Sequence, residues 1–583
     1  MKKLFSIVVL CCVLLTACAA EIQPNDKKSV EMLPEFKIND YLFSQSTYQP
    51  GQPVQLDISI TSLSESPADV TLMVRYTYLN EVVEEQTEVL QKGHQTWSCS
   101  FVWQPPEVAP RGYGLDISIL SENGSVLAAA SDGFDVLQSW KEMPRYGFLV
   151  DYAAGRSDAA ETMTILNRYH INGLQFYDWM YRHEQFFSTQ EPYLDILDRQ
   201  LSLETVKHLI SAAHERNMAA MPYTAVYGAS KAFYEQHPDW ALLDAKGEPV
   251  WFGENFMVIM DPRPDSEWTK HLMAEFAGIL EKTDFDGIHL DQYGHPKVGY
   301  DASGNSYPLD KALAAMINET KDLVNQKQPD GTVVFNAVTN WPIEVVAPSN
   351  QDFVYIEVWA PYTSFNELGQ IIIQAQKLGS GKPVVLAAYI DPQNKTNALI
   401  MDALIFANGA GRIELGEKGG YLADPYFPLY KMPDPELADW LQRYYGFAVR
   451  YQDVIGPRTT SANAFTYQNV RINSVETNTS LTHDKVMVIG RDYEKGLAIS
   501  LVNMIGLKHG EWAGEVQIMP TPLSDLVVQI KAGEKTAKAV WSTSADNETY
   551  DLQPLDFTQD GGVLRVIVPD LIIWDVLLVD WSE

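Results

Sequence analysis

The chain reads as a multidomain α/β and β protein, with a central (β/α)8 TIM barrel flanked by an N-terminal Ig-like β-sandwich and a C-terminal antiparallel β-sandwich. Three observations predict this. Between about residues 141 and 455, short apolar strands alternate with amphipathic helices, the mark of a parallel sheet. On both sides of that block the pattern is strands alone. At 583 residues the chain is also too long for one ordinary core.

The first eighteen residues read as a lipoprotein signal peptide. Lys2 and Lys3 precede an apolar run from Leu4 to Leu15, too short to span a bilayer with its own flanks, and the run ends in Leu15-Thr16-Ala17-Cys18. That ending resembles a lipobox, so Cys18 is the expected lipidation site and the expected address is extracytoplasmic, on a bacterial cell membrane. Cys11 and Cys12 would leave with the leader, and Cys99 alone would remain beside the lipidated residue. No disulfide within the chain and no cysteine-based metal site is expected. Residues 19–35 read as a polar tether.

Residues 36–140 alternate as strands. Val54-Gln-Leu-Asp-Ile-Ser-Ile60 and Leu115-Asp-Ile-Ser-Ile119 show period two, and turns such as Pro50-Gly51 and Glu122-Asn-Gly124 separate the runs. At Arg145 the period changes. Eight strands follow: Tyr146 to Tyr152, Gly173 to Trp179, Ala219 to Tyr227, Gly287 to Tyr293, Val333 to Trp341, Phe353 to Trp359, Pro383 to Ile390 and Gly411 to Glu417. Helices fill the intervals, among them Ser202 to Asn217, with Val206, Leu209, Ile210 and Ala213 on one face, and Trp268 to Lys282; the last runs from about Pro435 to Tyr451. Eight strands with eight crossovers close into a barrel. An open doubly wound sheet is the rival arrangement, but no glycine-rich phosphate loop follows the first strand. Residues 456–583 return to strand patterning, with Gly496-Leu-Ala-Ile-Ser-Leu-Val502 and a closing run from Val563 to Trp581.

Composition narrows the chemistry. The formal charge of −33, from 43 basic and 76 acidic residues, repels polyphosphates, so a nucleic-acid partner is not expected. Fourteen Trp and twenty-nine Tyr supply aromatic faces of the kind that stack on sugar rings. No HExxH, calcium loop or GxSxG elbow occurs, and neither a metal nor an organic cofactor is expected.

Two strands end in carboxylates sixty-six residues apart, in Phe285-Asp-Gly-Ile-His-Leu-Asp-Gln-Tyr-Gly294 and Phe353-Val-Tyr-Ile-Glu-Val-Trp359. In the first, Ile288 and Leu290 share one face while His289 and Asp291 share the other; in the second, Tyr355, Glu357 and Trp359 share the polar face. Strands four and six contribute to the same layer of a barrel, so Asp291 and Glu357 are expected to face each other across its mouth. Retaining glycosidases need two carboxyls about 5 to 5.5 Å apart. Asp291, among polar partners such as His289 and Gln292, is expected to stay ionised as the nucleophile. Glu357, between Tyr355 and Trp359, is expected in a drier setting that keeps it protonated as the acid. Asp286 begins its strand and would lie at the wrong face. Strand ends supply candidate substrate contacts: Asp151 and Tyr152; Tyr177, Asp178, Trp179, Arg182 and His183; Tyr227; His289 and Gln292; Trp359; Glu414.

These segments, above all Tyr177-Asp-Trp-Met-Tyr-Arg-His183, Asp286-Gly-Ile-His-Leu-Asp-Gln-Tyr-Gly294 and Tyr355-Ile-Glu-Val-Trp359, resemble glycoside hydrolase family 66, the dextranases and cycloisomaltooligosaccharide glucanotransferases. The resemblance covers roughly residues 36–583. It implies Asp291 as nucleophile, Glu357 as acid/base, and endo-cleavage of α-1,6-glucosidic linkages in dextran with retention, giving isomaltooligosaccharides. Cyclising members of the family insert a carbohydrate-binding module in the later half of the barrel. Here strand seven ends at Ile390 and the next helix starts near Asn394, so hydrolysis to linear products is favoured over cyclisation. The alternatives that stay open are a glucanotransferase on the same substrate and a glycan-binding lipoprotein without turnover. A monomer is expected.

Overall fold

The computed structural model describes residues 36–582 apart from 64–68, 463–465, 467, 474 and 479–482. The leader, Cys18 and the tether read from the sequence lie outside the described residues.

Seven strands form the first unit, in two antiparallel sheets. One joins Phe36–Phe43, Val54–Ser62 and Thr96–Trp103; the other orders Glu81–Leu90, Val70–Tyr78, Arg111–Leu120 and Val126–Val136 side by side. Period-two alternation drives it. Val54, Leu56, Ile58 and Ile60 are buried while Gln55 and Asp57 face water, and the inward residues of both sheets share one core. Tyr76 stacks on Trp103 at 4.8 Å within it.

The middle of the chain is a curled, mainly parallel sheet. Tyr146–Leu149, Gly173–Phe176, Ala219–Ala225, Gly287–Asp291, Thr332–Asn336, Phe353–Glu357 and Val384–Ala387 pair in chain order. Gly411–Ile413 follows beside the seventh strand, and Gly416, three residues on, pairs in parallel with Phe148 of the first. The strands are shorter than the sequence suggested. Alternation continues past the last ladder bond, and the polar and aromatic residues beyond it belong to loops. Helices cover the outside. Val206, Leu209, Ile210 and Ala213 are buried as one face of Leu203–Glu215, and Leu272, Phe276 and Leu280 as one face of Glu267–Lys282. Ser202, Ser266 and Asp434 cap their helices, and Ser364 with Glu367 forms a capping box. Lys395–Ala407 is buried from Thr396 to Ala407 because the last unit packs over its outer side.

That last unit again has two sheets. The larger runs through Val486–Tyr493, Gly496–Asn503, Trp574–Trp581 and Ala537–Ser544; the smaller joins Val470–Ile472, Leu523–Lys531, Val563–Leu571 and Phe557–Asp560. Buried ion pairs tie the first unit to the middle: Arg145 to Asp135 at 2.7 Å and Arg450 to Asp116 at 2.7 Å.

Candidate active site

Strand four ends at Asp291 and strand six at Glu357. Strand five, between them, ends at Asn336. Its side-chain Nδ2 donates to Asp291 Oδ1 at 2.7 Å and to Glu357 Oε2 at 2.9 Å. Two oxygens on one nitrogen at those distances are no more than about 5.6 Å apart. The remaining oxygens are held as well: Tyr223 donates its hydroxyl to Asp291 Oδ2 at 2.7 Å, and Tyr389 donates to Glu357 Oε1 at 2.8 Å.

Local sequence explains the placement. Ile288 and Leu290 are fully buried toward the helices, which turns Asp291 inward. Gly287 allows strand four to lie close to strand five: its φ is +149°, and a Cβ there would stand 1.8 Å from the Thr332 carbonyl oxygen. Val354 and Ile356 do for Glu357 what Ile288 and Leu290 do for Asp291.

Both carboxyls sit half-buried on the floor of a cleft, with neutral donors and, among the described residues, no cation against them. Burial, then the neighbouring Glu357 carboxylate, push Asp291 up to about 7 against the Tyr223 and Asn336 hydrogen bonds. Burial also raises Glu357, opposed by Asn336, Tyr389 and Trp359. The sequence placed Asp291 among His289 and Gln292; its carboxylate is held by Tyr223 and Asn336, with the Gln292 backbone also bonded to it, and it shares the cleft floor with Glu357. Two adjacent carboxyls in such a place titrate as a coupled pair.

The cleft has a volume of about 840 Å³. Tyr177, Asp178, His183, Gln292 and Trp359, all read from the sequence, line it. Trp359 is 39% exposed, a large aromatic face open to solvent. Tyr177 stacks on Phe427 at 4.5 Å. Asp178 has a φ of +49°, and Arg199 donates to its carbonyl at 3.0 Å. Burial raises its carboxyl to about 6, the Arg199 charge opposing. Burial lowers His183 to about 4, so its ring is neutral in ordinary buffers.

The other candidates lie elsewhere. Tyr152 and Trp179 are core residues, their polar atoms donating to the Leu149 and Tyr223 carbonyls. Tyr227 is buried behind the cleft against Gln292. His289 lies on the inner side of the curled sheet, 3.0 Å from the Tyr146 hydroxyl, and burial lowers it to about 3. Glu414 is fully buried against Arg412 at 2.8 Å. Asp151 caps a turn at Ala153, and Arg182 stacks on Tyr181 in a separate depression outside the cleft. A strand end marks a face of the sheet, and it does not mark which residues neighbouring loops then cover.

Sequence reading missed Asn336 and Tyr389. Asn336 closes strand five, and Tyr389 lies two residues beyond the end of strand seven. Phe252, from the short strand Trp251–Phe252, and Phe256 and Tyr426, from loops, also line the cleft without a periodic signal in the sequence.

Known proteins were compared with this arrangement. The model of glycosyl hydrolase family 66 matches residues 43–578. Two cycloisomaltooligosaccharide glucanotransferases of Niallia circulans are 27% and 28% identical over 371 residues, 60% of this chain. The alignments span only 37% and 38% of those relatives' length. The crystal structure of a Paenibacillus sp. cycloisomaltooligosaccharide glucanotransferase complexed with cycloisomaltoheptaose superposes with a TM-score of 0.86 at 21% identity, covering 93% of this chain and 99% of that one, a likeness of fold.

Proposed function

The chain belongs to glycosyl hydrolase family 66, and on that premise we propose that it is a retaining endo-hydrolase of the α-1,6-glucosidic linkages of dextran. The observation that carries the proposal is the single Asn336 amide that bridges Asp291 and Glu357. It brings their nearest oxygens to within about 5.6 Å, which favours the close spacing of about 5 to 5.5 Å used by retaining enzymes over the roughly 6.5 to 9.5 Å that leaves room for a water in inverting ones. The ring of strand pairs is read as a (β/α)8 barrel, with the cleft at the carboxyl ends of its strands.

In this reading a glucan chain lies in the aromatic cleft with one linkage over the pair. In the reactive protonation state the proton is on Glu357, which gives it to the departing glycosidic oxygen as ionised Asp291 attacks the anomeric carbon. Tyr223 and Asn336 hold the Asp291 carboxylate in line while the bond forms. Glu357, now ionised and steadied by Tyr389, then takes a proton from water, which releases the sugar from Asp291. Glu357→Gln and Asp291→Ala are each expected to lower release of reducing sugar from dextran by at least about a thousandfold while leaving the circular dichroism unchanged. Wild-type turnover in either variant would refute the assignment.

A second reading is transfer to a sugar hydroxyl in place of water. The names of the curated relatives favour it. Against cyclisation stands the short link of residues 388–394 between strand seven and its helix, which leaves no space for an inserted module. Chromatography of dextran digests separates the two, linear isomaltooligosaccharides supporting hydrolysis and rings supporting transfer. We also place the protein outside the cytoplasm, anchored through Cys18; mass spectrometry of the mature N-terminus tests this.

A further inference from the structure

A second cavity, of about 820 Å³ and so nearly as large as the catalytic cleft, lies at the opposite end of the strands, between the first unit and the sheet. Asp286, at the start of strand four, and Thr332, at the start of strand five, line it, so it lies below the floor of the ring and away from Asp291 and Glu357. Ligand sites favour such junctions between units.

Its chemistry is specific. Thr47 and Thr332, at 3% and 0% exposure, are sealed in its wall, and the groups a ligand can reach are those at its surface. The cations are already paired. Lys141 lies 3.2 Å from Asp352 and His214 2.8 Å from Asp286, which leaves no positive cluster for a phosphate or carboxylate ligand. Amides and hydroxyls prevail over apolar groups, with Gln49 and Gln138 exposed at the rim, which disfavours a lipid or other apolar ligand. Trp140 adds a partly exposed aromatic ring. A neutral, polyhydroxylated ring compound meets all of these features together.

We propose that this cavity is a second carbohydrate-binding site, which holds a segment of neutral α-glucan remote from the bond being cut. The identity of the glucan rests on the proposed function; the neutral-sugar chemistry rests on the cavity. The site would tether a long chain so that its distant part enters the cleft at a raised local concentration.

Calorimetric titration of the Glu357→Gln protein with isomaltohexaose tests it. Two equivalents are expected. Adding Gln49→Ala and Gln138→Ala at the exposed rim, which cannot unfold the chain, is expected to weaken one of them about three- to tenfold and leave the other unchanged. With Glu357 restored, the rim variant is expected to cleave short isomaltooligosaccharides at the wild-type rate while kcat/KM on dextran falls several-fold. A single equivalent in the Glu357→Gln protein overturns the proposal, as does unchanged binding in the rim variant. Failure of the proposed function reads differently, as an absence of wild-type turnover whatever the stoichiometry.

Discussion

Asn336 shows how little side-chain chemistry is needed to make two acids cooperate. One neutral amide fixes the distance between Asp291 and Glu357 without neutralising either, so their mutual repulsion persists and their titrations are coupled. The stored repulsion has a measurable consequence for stability. Asp291 is raised to about 7 in the fold, against roughly 3.9 for an ordinary Asp, so its contribution is complete below about pH 4 and is lost as the pH rises through 7. Asp291→Asn carries no such titration. Its melting temperature is expected to exceed the wild type's at pH 8, with the gap closing by pH 4, as calorimetric scans across that range would show. At this scale the two carboxylates were legible, because period-two alternation next to buried Ile288, Leu290, Val354 and Ile356 fixes their face. Asn336 was not, since an amide at the end of Thr332-Val-Val-Phe-Asn336 looks no different from a residue that merely ends a strand.

The eighth strand and its helix are governed by a charge cluster that the pattern of apolar residues does not reveal. Arg412 Nη1 lies 2.8 Å from both Asp402 and Glu414, all three fully buried, and Arg412 Nη2 donates to the Ala388 carbonyl at 3.0 Å. Ala388 precedes Tyr389, so the cluster also steadies the residue that holds Glu357. Burial, then the Glu414 charge, raise Asp402. Arg412→Met leaves two buried carboxyls without their cation and is expected to cost about 3–5 kcal/mol in urea unfolding, more than its change in packing alone. Glu414 was read from the sequence as a sugar contact because a carboxylate at a strand end carries no mark of the arginine two residues before it. The helices were read almost to their ends, since a 3.6-residue stripe and a capping serine are both local signals. Strand ends were overshot, because the ladder stops where a neighbour stops, and that is a tertiary fact.

Across the whole molecule, two β-rich units pack against a curled sheet and its helices. At Gly133 the strand Val126–Val136 lies so close to the helix Pro435–Arg450 that a Cβ would stand 2.5 Å from the Gly446 carbonyl oxygen. Gly133→Ala is expected to cost about 1–3 kcal/mol by forcing the two apart, with kcat on dextran unchanged at low temperature. Denaturation curves and assays on the same preparation check both halves. Three regions of distinct patterning were plain in the sequence, because a change of period from 2 to 3.6 survives any docking geometry. The cavity beneath the sheet was not, since it exists only where the first unit meets strand starts from distant parts of the chain.

The account turns on Asp291 taking the sugar and Glu357 supplying the proton, a double displacement at one anomeric carbon. Proton NMR of an isomaltooligosaccharide during its first turnovers, before mutarotation, reads the outcome directly. The account predicts that the newly formed reducing end is the α-anomer. A β-anomer as the initial product would contradict it.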